Sequence, residues 1–176
     1  LVSFVFRQSG GFCCWYGPRR REDTENICHH RIPHQKSQEM RPEGIQETCL
    51  YADDLPAAEQ FYTRVLGLDV MARESGRHVF LRCGEGVMLI FNPQATSSEQ
   101  TFVEGAPVPL HGARGAGHLA FRVAETELEN WRQQLRDSGV AIESEVRWPQ
   151  GGRSLYFRDP AGNSVELVTP QTWGLR

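Results

Sequence analysis

Three side chains that could share one metal ion lie far apart in the sequence. Glu47 begins one β-like run, His118 begins another, and Glu166 lies between Val165 and Leu167 near the end of the chain. A carboxylate within an apolar strand must face water, a partner group or a metal, because burying it alone is costly. One imidazole and two carboxylates suit Mn²⁺, Fe²⁺, Ni²⁺ or Zn²⁺ and leave coordination positions open for a substrate.

Strand alternation indicates which face each of these side chains occupies. Successive residues of a strand point to opposite faces, and in all three runs the apolar residues suit a face covered by a helix. Glu47, His118 and Glu166 then lie on the faces away from the helices, where they can meet if the strands pair. The alternative is that His118 makes only hydrogen bonds and the two glutamates are half-exposed, without a metal.

The elements that would position these residues occur twice in the same order. Residues 45–92 and 117–170 each predict a strand, a helix and three further strands, and they are joined by a linker at 93–116 without apolar periodicity. Such a repeat is the sequence signature of two similar structural modules. We therefore predict an α+β fold built from two βαβββ modules.

Local signals support the element boundaries. Asp54 followed by Leu55-Pro56 predicts the capped start of the first helix. Thr126 with Glu129 predicts a capping box at the second helix. The stretch 159–162, Asp-Pro-Ala-Gly, predicts a type I turn between the last two strands.

Composition excludes several classes of protein. The chain has 176 residues and a formal charge of −3, with no basic stripe and no apolar run long enough to span a membrane. We therefore expect neither a nucleic-acid partner nor a membrane partner. The five cysteines form no C-x-x-C pair, which favours a reduced, cytoplasmic setting.

The first part of the chain differs from the rest. Residues 1–43 lack a clear period and predict an N-terminal extension that is disordered or non-native, ahead of a domain at 44–170 and a tail at 171–176. An alternative interpretation is a zinc-binding tract, although its spacing fits no standard finger; it would be formed by Cys28, His29, His30 and His34.

Several motifs resemble the vicinal oxygen chelate superfamily, which includes glyoxalase I, extradiol dioxygenases, fosfomycin-resistance thiol transferases and bleomycin-binding proteins. The resemblance implies that the two modules pair into an open barrel-like sheet, the glyoxalase/bleomycin resistance/dioxygenase fold. It also implies a divalent metal at Glu47, His118 and Glu166. The motifs lie within residues 47–55, 58–68, 117–121 and 156–167.

The sequence departs from this family at two positions. The usual first-strand ligand is His, where this chain has Glu47. The fourth ligand of glyoxalase I corresponds to Met88, which argues against a glyoxalase-type site. Cys49 lies beside the metal position in the resemblance, but we expect an inert buried thiol there rather than a nucleophile.

The resemblance also indicates substrate-binding residues. Arg153-Ser154-Leu155-Tyr156-Phe157 is similar to the fosfomycin-resistance pattern, in which the positions of Ser154 and Tyr156 contact the substrate. Arg122 and Arg153 could bind an anionic substrate, and Trp148 lies in a predicted rim loop. The alternatives are an ordinary strand serine, a sheet aromatic and two solvated arginines.

The leading interpretation is a metal-dependent enzyme that acts on a small substrate with two adjacent oxygens. Isomerisation, thiol addition and ring cleavage remain open, and no catalytic residue is assigned. The resemblance implies a homodimer, and the modules could pair within one chain or between chains. In the second case, Glu47 of one chain would meet His118 and Glu166 of the other. The alternative is a metal-free protein that binds an aromatic or drug-like ligand in a pocket lined by Tyr51, Phe91, Trp148 and Tyr156.

Overall fold

The computed structural model describes residues 40–175. The chain divides into two units, Leu1–Met40 and Arg41–Arg176, and the second contains all the elements described below. The predicted disorder of the extension and the alternative zinc tract fall on residues 1–39, outside the described part of the chain.

The first module is a four-stranded sheet with one helix. The strand order is β1-β4-β3-β2, in which β1 runs parallel to β4 and the other neighbours are antiparallel. Its elements are β1 (Glu47–Tyr51), α1 (Leu55–Arg64), β2 (Asp69–Glu74), β3 (His78–Cys83) and β4 (Gly86–Phe91).

The stretch 93–116 is more ordered than the linker we expected. It contains a short helix, α2 (Pro93–Ser98), and a two-stranded hairpin, β5 (Thr101–Val103) and β6 (Ala106–Val108). The Asn92 side chain accepts hydrogen bonds from the backbone at the start of α2. A capping residue and a tight turn define these short elements, so a search for apolar periodicity does not detect them.

The second module repeats the topology of the first. The strand order is β7-β10-β9-β8, with β7 parallel to β10. The predicted βαβββ repeat is thereby confirmed. Its elements are β7 (His118–Arg122), α3 (Leu128–Asp137), β8 (Ser144–Arg147), β9 (Arg153–Arg158) and β10 (Ser164–Val168).

The two predicted helix starts have different outcomes. The Asp54 carboxylate accepts a hydrogen bond of 2.9 Å from the Ala57 amide, which confirms the cap of α1. The predicted capping box is wrong, because Thr126 lies inside a 3-10 turn that precedes α3 and no side chain caps either helical segment. Within residues 40–175, no helix has both the length and the apolar character needed to cross a membrane.

Both modules contribute to one hydrophobic core. Phe61 of α1 lies 6.2 Å from Phe157 of β9 between ring centroids, and Tyr62 lies 6.4 Å from Phe121 of β7. The fully buried members of this core come from both halves of the chain. They include Ala58, Tyr62, Leu81, Leu135, Phe157 and Val165.

The predicted turn at 159–162 connects the second sheet to α1. The Gly162 amide donates to the Asp159 carbonyl at 3.0 Å, and Gly162 has the positive φ of 81° that suits glycine. The Asp159 carboxylate is buried and accepts a hydrogen bond of 2.9 Å from the Tyr62 hydroxyl. Burial, and then the Asp159 charge, raises the pKa of Tyr62 far above its usual value, so its hydroxyl remains a donor.

The sheets do not join as we expected. The α+β fold of two βαβββ modules is confirmed, but in the described chain the module strands form two separate sheets with β1 and β7 at their edges. The apolar faces of both sheets are directed into the shared core with α1. We call the opposite face of each sheet its outer face.

Candidate functional site

The outer face of the second sheet carries a compact polar cluster. Glu166 of β10 is opposite Tyr156 of β9 in the register, and Ser154 and His118 lie diagonally across from it. The Ser154 hydroxyl oxygen lies 2.5 Å from Glu166 Oε1, and His118 Nε2 lies 3.3 Å from Glu166 Oε2. The structure therefore brings together four residues predicted from sequence.

Glu166 is a buried carboxylate with a partner on each oxygen. Glu166 is 6% exposed and Ser154 is 1% exposed. Burying a carboxylate is tolerated only with charge or hydrogen-bond compensation. Here Ser154 compensates one oxygen and His118 faces the other, so Glu166 is held in a single orientation at the sheet surface.

The hydrogen bonds of His118 indicate its tautomer. His118 Nδ1 lies 3.1 Å from the Ser164 carbonyl oxygen, which can only accept, so Nδ1 carries the proton. In the neutral imidazole, the lone pair of Nε2 is then directed at Glu166 Oε2. Two lone pairs at this distance require a proton or a cation between them. A backbone carbonyl that orients the second ring nitrogen is typical of metal-binding histidines.

Tyr156 borders this pair. Its ring lies 6.3 Å from the His118 ring between centroids, with 26° between the planes. Burial, and then hydrogen bonding and charge from Glu166, raises the pKa of Tyr156 above its usual value. The phenol is therefore protonated at neutral pH and can donate a hydrogen bond to a bound molecule.

Trp148 covers the cluster from the loop between β8 and β9. Its indole nitrogen donates a hydrogen bond of 2.8 Å to the Ser154 hydroxyl oxygen. The side chain is 37% exposed, so one side of the ring remains open to solvent. Trp148 lies in the loop between two strands, where the sequence placed it.

The two arginines predicted from sequence lie in different surroundings. Arg122 is exposed on the outer face of β7, roughly 13 Å along the strand from His118 at about 3.3 Å per residue. Arg153 is on the opposite face of β9 from Ser154, because Leu155 and Phe157 alternate into the core. The structure therefore does not bring Arg153 into the cluster.

Glu47, the third predicted metal ligand, lies on a different sheet. It is exposed at the edge strand β1. Within residues 40–175, no group of three His, Cys, Asp or Glu side chains is close enough to hold a metal. The single chain thus provides the His118–Glu166 pair and leaves Glu47 outside it.

Two other positions on the first sheet bear on the comparison with glyoxalase I. Met88 is 1% exposed and points into the core, so the outer face of β4 presents Val87 and Leu89 instead. No residue of β4 is acidic.

Cys49 is exposed, which corrects the expectation of a buried thiol. The cause is that Cys49 points away from the core on an edge strand.

A group of ring side chains lies at the outer face of the first sheet. We call it the aromatic surface. Tyr51 and Phe91 were predicted from sequence as pocket residues, but the other rings were not. The His78 and Phe80 rings stack at 4.0 Å, Phe80 and Phe91 lie 5.5 Å apart, and Phe91 and His111 lie 4.6 Å apart. The Tyr51 hydroxyl is 2.9 Å from His111 Nδ1. The available signal was that β3 and β4 are apolar at consecutive positions, as in strands covered on both faces.

The electrostatic environment of the aromatic surface favours uncharged rings. Burial lowers the pKa of His78, against the opposing effect of Glu74, so this imidazole is neutral at physiological pH. Burial and Cys49 raise the pKa of Tyr51. The surface is thus aromatic and only partly buried, with His78 and Tyr51 uncharged.

Comparison with known proteins identifies a family that this sequence matches. The family model for the Glyoxalase/Bleomycin resistance protein/Dioxygenase superfamily matches residues 44–167. Metallothiol transferase FosB of Staphylococcus saprophyticus is 29% identical over 129 residues, which are 72% of this chain and 77% of the relative. Glutathione transferase FosA of Serratia marcescens is 30% identical over 128 residues, which are 71% and 79% of the two chains.

A solved structure extends the comparison. The lactoylglutathione lyase from Agrobacterium tumefaciens is 42% identical, with a TM-score of 0.71, and the alignment covers 77% of this chain and all of that one. The family model covers well over half of the sequence and includes all the residues of the His118–Glu166 cluster. The chain therefore belongs to the glyoxalase/bleomycin resistance protein/dioxygenase superfamily.

Proposed function

We propose that this protein is a metal-dependent enzyme that acts on a small substrate with two adjacent oxygen atoms. The observation that carries the proposal is the facing of His118 Nε2 and Glu166 Oε2 at 3.3 Å. A divalent cation held by His118 and Glu166 would accept lone pairs from both atoms and so remove their mutual repulsion. The donor set of imidazole and carboxylate fits Mn²⁺, Fe²⁺, Ni²⁺ or Zn²⁺.

The side chains around this pair divide the remaining tasks. Ser154 donates to Glu166 and so orients the carboxylate. Tyr156 keeps its proton and is placed to orient a substrate oxygen. Arg122 is a candidate for an anionic group farther along the strand, whereas Arg153 is not part of the proposal. A bound divalent cation would supply Lewis-acid stabilisation of negative charge on a substrate oxygen.

A homodimer would complete the proposed site. Glu47 is exposed and lies outside the His118–Glu166 pair in the described residues of one chain. Three protein ligands with open positions are typical of catalytic metal sites. In a symmetric dimer, the outer face of the first sheet of one chain can meet the outer face of the second sheet of its partner. We therefore assign Glu47 as the ligand contributed across the interface.

The first experiment measures metal content and metal binding. Purified protein is analysed for bound metals and then titrated with Mn²⁺ and Ni²⁺ by calorimetry, beside His118→Ala, Glu166→Gln and Glu47→Ala. We expect about one ion per chain in the parent and at least tenfold weaker binding in each variant, because each loses a ligand. Glu145→Gln is the matched control, since Glu145 lies on the same sheet outside the cluster.

A parent that binds neither ion overturns the metal-dependent proposal. Unchanged binding in the Glu47→Ala variant alone overturns the shared site and leaves the His118–Glu166 pair as the metal centre. Binding lost in the Glu145→Gln control would show that substitution of any acid on this sheet disrupts the fold. Circular dichroism of each variant separates that effect from loss of a ligand.

The names of the relatives indicate the first substrates to assay. A lactoyl thioester has a hydroxyl next to a carbonyl, and two further relatives are thiol transferases. We propose a thiol-derived substrate with vicinal oxygens. Lyase activity on a 2-oxoaldehyde–glutathione adduct, compared with thiol addition to a phosphonate epoxide, distinguishes isomerisation from group transfer. Turnover that persists in Glu166→Gln would contradict the assigned role.

The aromatic surface favours a second candidate function. A group of adjacent rings outside the core, which includes an uncharged His78, suits an aromatic ligand. A metal-free binding protein of the bleomycin-resistance type would use this surface together with Trp148 and Tyr156. It predicts ligand affinity that is unchanged by a chelator and by Glu166→Gln, measured by tryptophan fluorescence. Affinity lost under either condition favours the metal-dependent function.

A further inference from the structure

Trp148, Ser154 and Glu166 form a continuous hydrogen-bonded chain from the protein surface to the proposed metal site. The indole nitrogen of Trp148 lies 2.8 Å from the Ser154 oxygen, and that oxygen lies 2.5 Å from Glu166 Oε1. An indole N–H can only donate, so the Ser154 oxygen accepts. The one hydroxyl proton of Ser154 is therefore directed at the carboxylate.

We propose that Trp148 is a positioning residue for Glu166 and acts through the Ser154 hydroxyl. This inference rests on the proposed role of Glu166 as a metal ligand. With Oε1 held by Ser154, Oε2 is the oxygen that faces His118. Trp148 thereby selects which carboxylate oxygen is presented to a cation. Partners of this kind typically change metal affinity by about 10- to 100-fold.

The loop that carries Trp148 is held at both ends. The Trp148 amide donates to the Gly152 carbonyl at 3.1 Å, and the Gly151 amide donates to the Trp148 carbonyl at 3.0 Å. A Cβ atom at Gly152 would lie 2.4 Å from the backbone nitrogen of Thr172, so only glycine fits. The C-terminal turn at Pro170–Trp173 thus packs directly on the loop.

A second contact ties this turn to β9. The Thr169 hydroxyl accepts from the Arg153 amide at 3.0 Å, next to Ser154, and the Thr169 amide donates to the Arg153 carbonyl at 3.0 Å. The indole is therefore fixed by the loop, the turn and the strand together. Because 37% of Trp148 remains exposed, a molecule that enters the site can contact its ring.

A double-mutant cycle tests the chain of bonds. Ni²⁺ affinity is measured by calorimetry for the parent, Trp148→Phe, Ser154→Ala and the double variant. Phe keeps the ring and removes the N–H donor. We expect each single variant to bind Ni²⁺ about tenfold more weakly, and the double variant to bind no more weakly than Ser154→Ala. Trp173→Phe, which changes the exposed neighbour of Trp148 in the same surface pocket, should bind as the parent does.

Indole N–H signals provide a readout that a purely structural role would not change. In ¹⁵N-labelled protein, the Trp148 signal is assigned from its loss in Trp148→Phe. We expect this signal to move upfield in Ser154→Ala and to shift when Zn²⁺ is added, while the Trp173 signal stays in place. A Trp148 signal that responds to neither change overturns the inference.

The outcomes separate this inference from the proposed function. Additive losses in the double variant, or parent-like Ni²⁺ binding in Trp148→Phe, overturn the role of Trp148 alone. Parent-like binding in Glu166→Gln overturns the metal site and this inference with it. Melting temperatures of the metal-free variants identify any variant that has lost its fold, in which case the indole spectrum of the parent with and without Zn²⁺ decides.

Discussion

At the scale of single residues, the site depends on which atoms face one another. His118 is 53% exposed at its side chain and Glu166 is 8% exposed, yet their nitrogen and oxygen atoms lie 3.3 Å apart. The backbone carbonyl of Ser164 orients the imidazole, and Ser154 orients the carboxylate. Glu47, the proposed ligand that departs from the usual family pattern, is exposed in a single chain.

Glu47→His should change which metal the protein prefers. Replacing a carboxylate by imidazole favours Zn²⁺ and Ni²⁺ over Mn²⁺, because the nitrogen donor is softer. We expect the ratio of Zn²⁺ to Mn²⁺ affinity to rise about tenfold. Competition titrations at fixed pH measure this ratio. An unchanged ratio would exclude Glu47 from the metal site.

Tyr156→Phe should separate substrate orientation from metal binding. The phenol keeps its proton because burial and Glu166 raise its pKa, so it can donate to a substrate oxygen. We expect kcat/KM on the accepted substrate to fall about 100-fold, as for loss of one oriented donor. Ni²⁺ affinity should fall only about tenfold, because Tyr156 is not a proposed ligand but a hydrogen-bond partner of Glu166. Equal losses in both measurements would contradict this division.

At the scale of elements, hydrogen bonds from Asp159 hold the turn between β9 and β10 against α1. The Asp159 carboxylate accepts from the backbone of its own turn at Ala161 and Asn163, and from the Tyr62 hydroxyl of α1. A type I turn is thereby attached to a helix from the other module. The same turn leads into β10, so this attachment also positions the strand that carries Glu166.

Tyr62→Phe should reduce stability in a pH-dependent way. At pH 8 we expect a loss of about 1–2 kcal/mol in the free energy of unfolding, because the buried Asp159 loses a donor. Burial and the Asp159 charge raise the folded-state pKa of Tyr62 above its ordinary value of 10.0. Its contribution is therefore complete below pH 10 and is lost as pH rises further, when the unfolded chain ionises, by about 1.4 kcal/mol per pH unit.

Urea unfolding of parent and variant at pH 8, 10 and 11 measures this difference. Other groups titrate equally in both proteins, so only the gap between them is compared. A gap that stays constant or widens above pH 10 would contradict the assignment. Thr63→Ala is a suitable control, because the Thr63 hydroxyl donates to the Glu59 and Gln60 carbonyls of the same helix.

At the scale of the whole molecule, Asn163 connects the two modules around their shared core. Its side-chain amide donates to the Tyr51 carbonyl at 3.2 Å, and its side-chain oxygen accepts from the Gly117 amide at 2.7 Å. These bonds and the contacts of α1 direct the inner faces of both sheets toward one core. The outer faces, which carry Glu47 on one sheet and His118 with Glu166 on the other, remain open to a second chain.

Subunit complementation tests the shared site. A homodimer of Glu47→Ala chains has no complete metal site, and neither does a homodimer of His118→Ala chains. After mixing and subunit exchange, half of the dimers are hybrids and each hybrid regains one of its two sites. We expect about a quarter of the parent's metal-binding sites to return, as symmetric pairing requires. The same measurement on unmixed variants is the control, and no recovery in confirmed hybrids would contradict the shared site.

The sequence by itself determined the repeat and the strand faces of His118 and Glu166, whereas Ser154, Tyr156 and Trp148 were indicated by the resemblance to a known family. Period-two alternation assigned His118 and Glu166 to one face, and turn chemistry placed β9 beside β10. These features arise from neighbours within a few residues, so a local pattern is sufficient. The 3-10 entry into α3 and the hairpin at β5 and β6 were missed, because their backbone bonds leave no apolar period.

Only the tertiary structure decided which surfaces pair. The position of one sheet relative to the other depends on how α1 packs against the second sheet, a contact between residues about a hundred positions apart. The same packing placed Arg153 on the inner face and left the rings of His78 and Phe80 outside the core. Alternation gives each side chain a face, but packing between modules determines what that face meets.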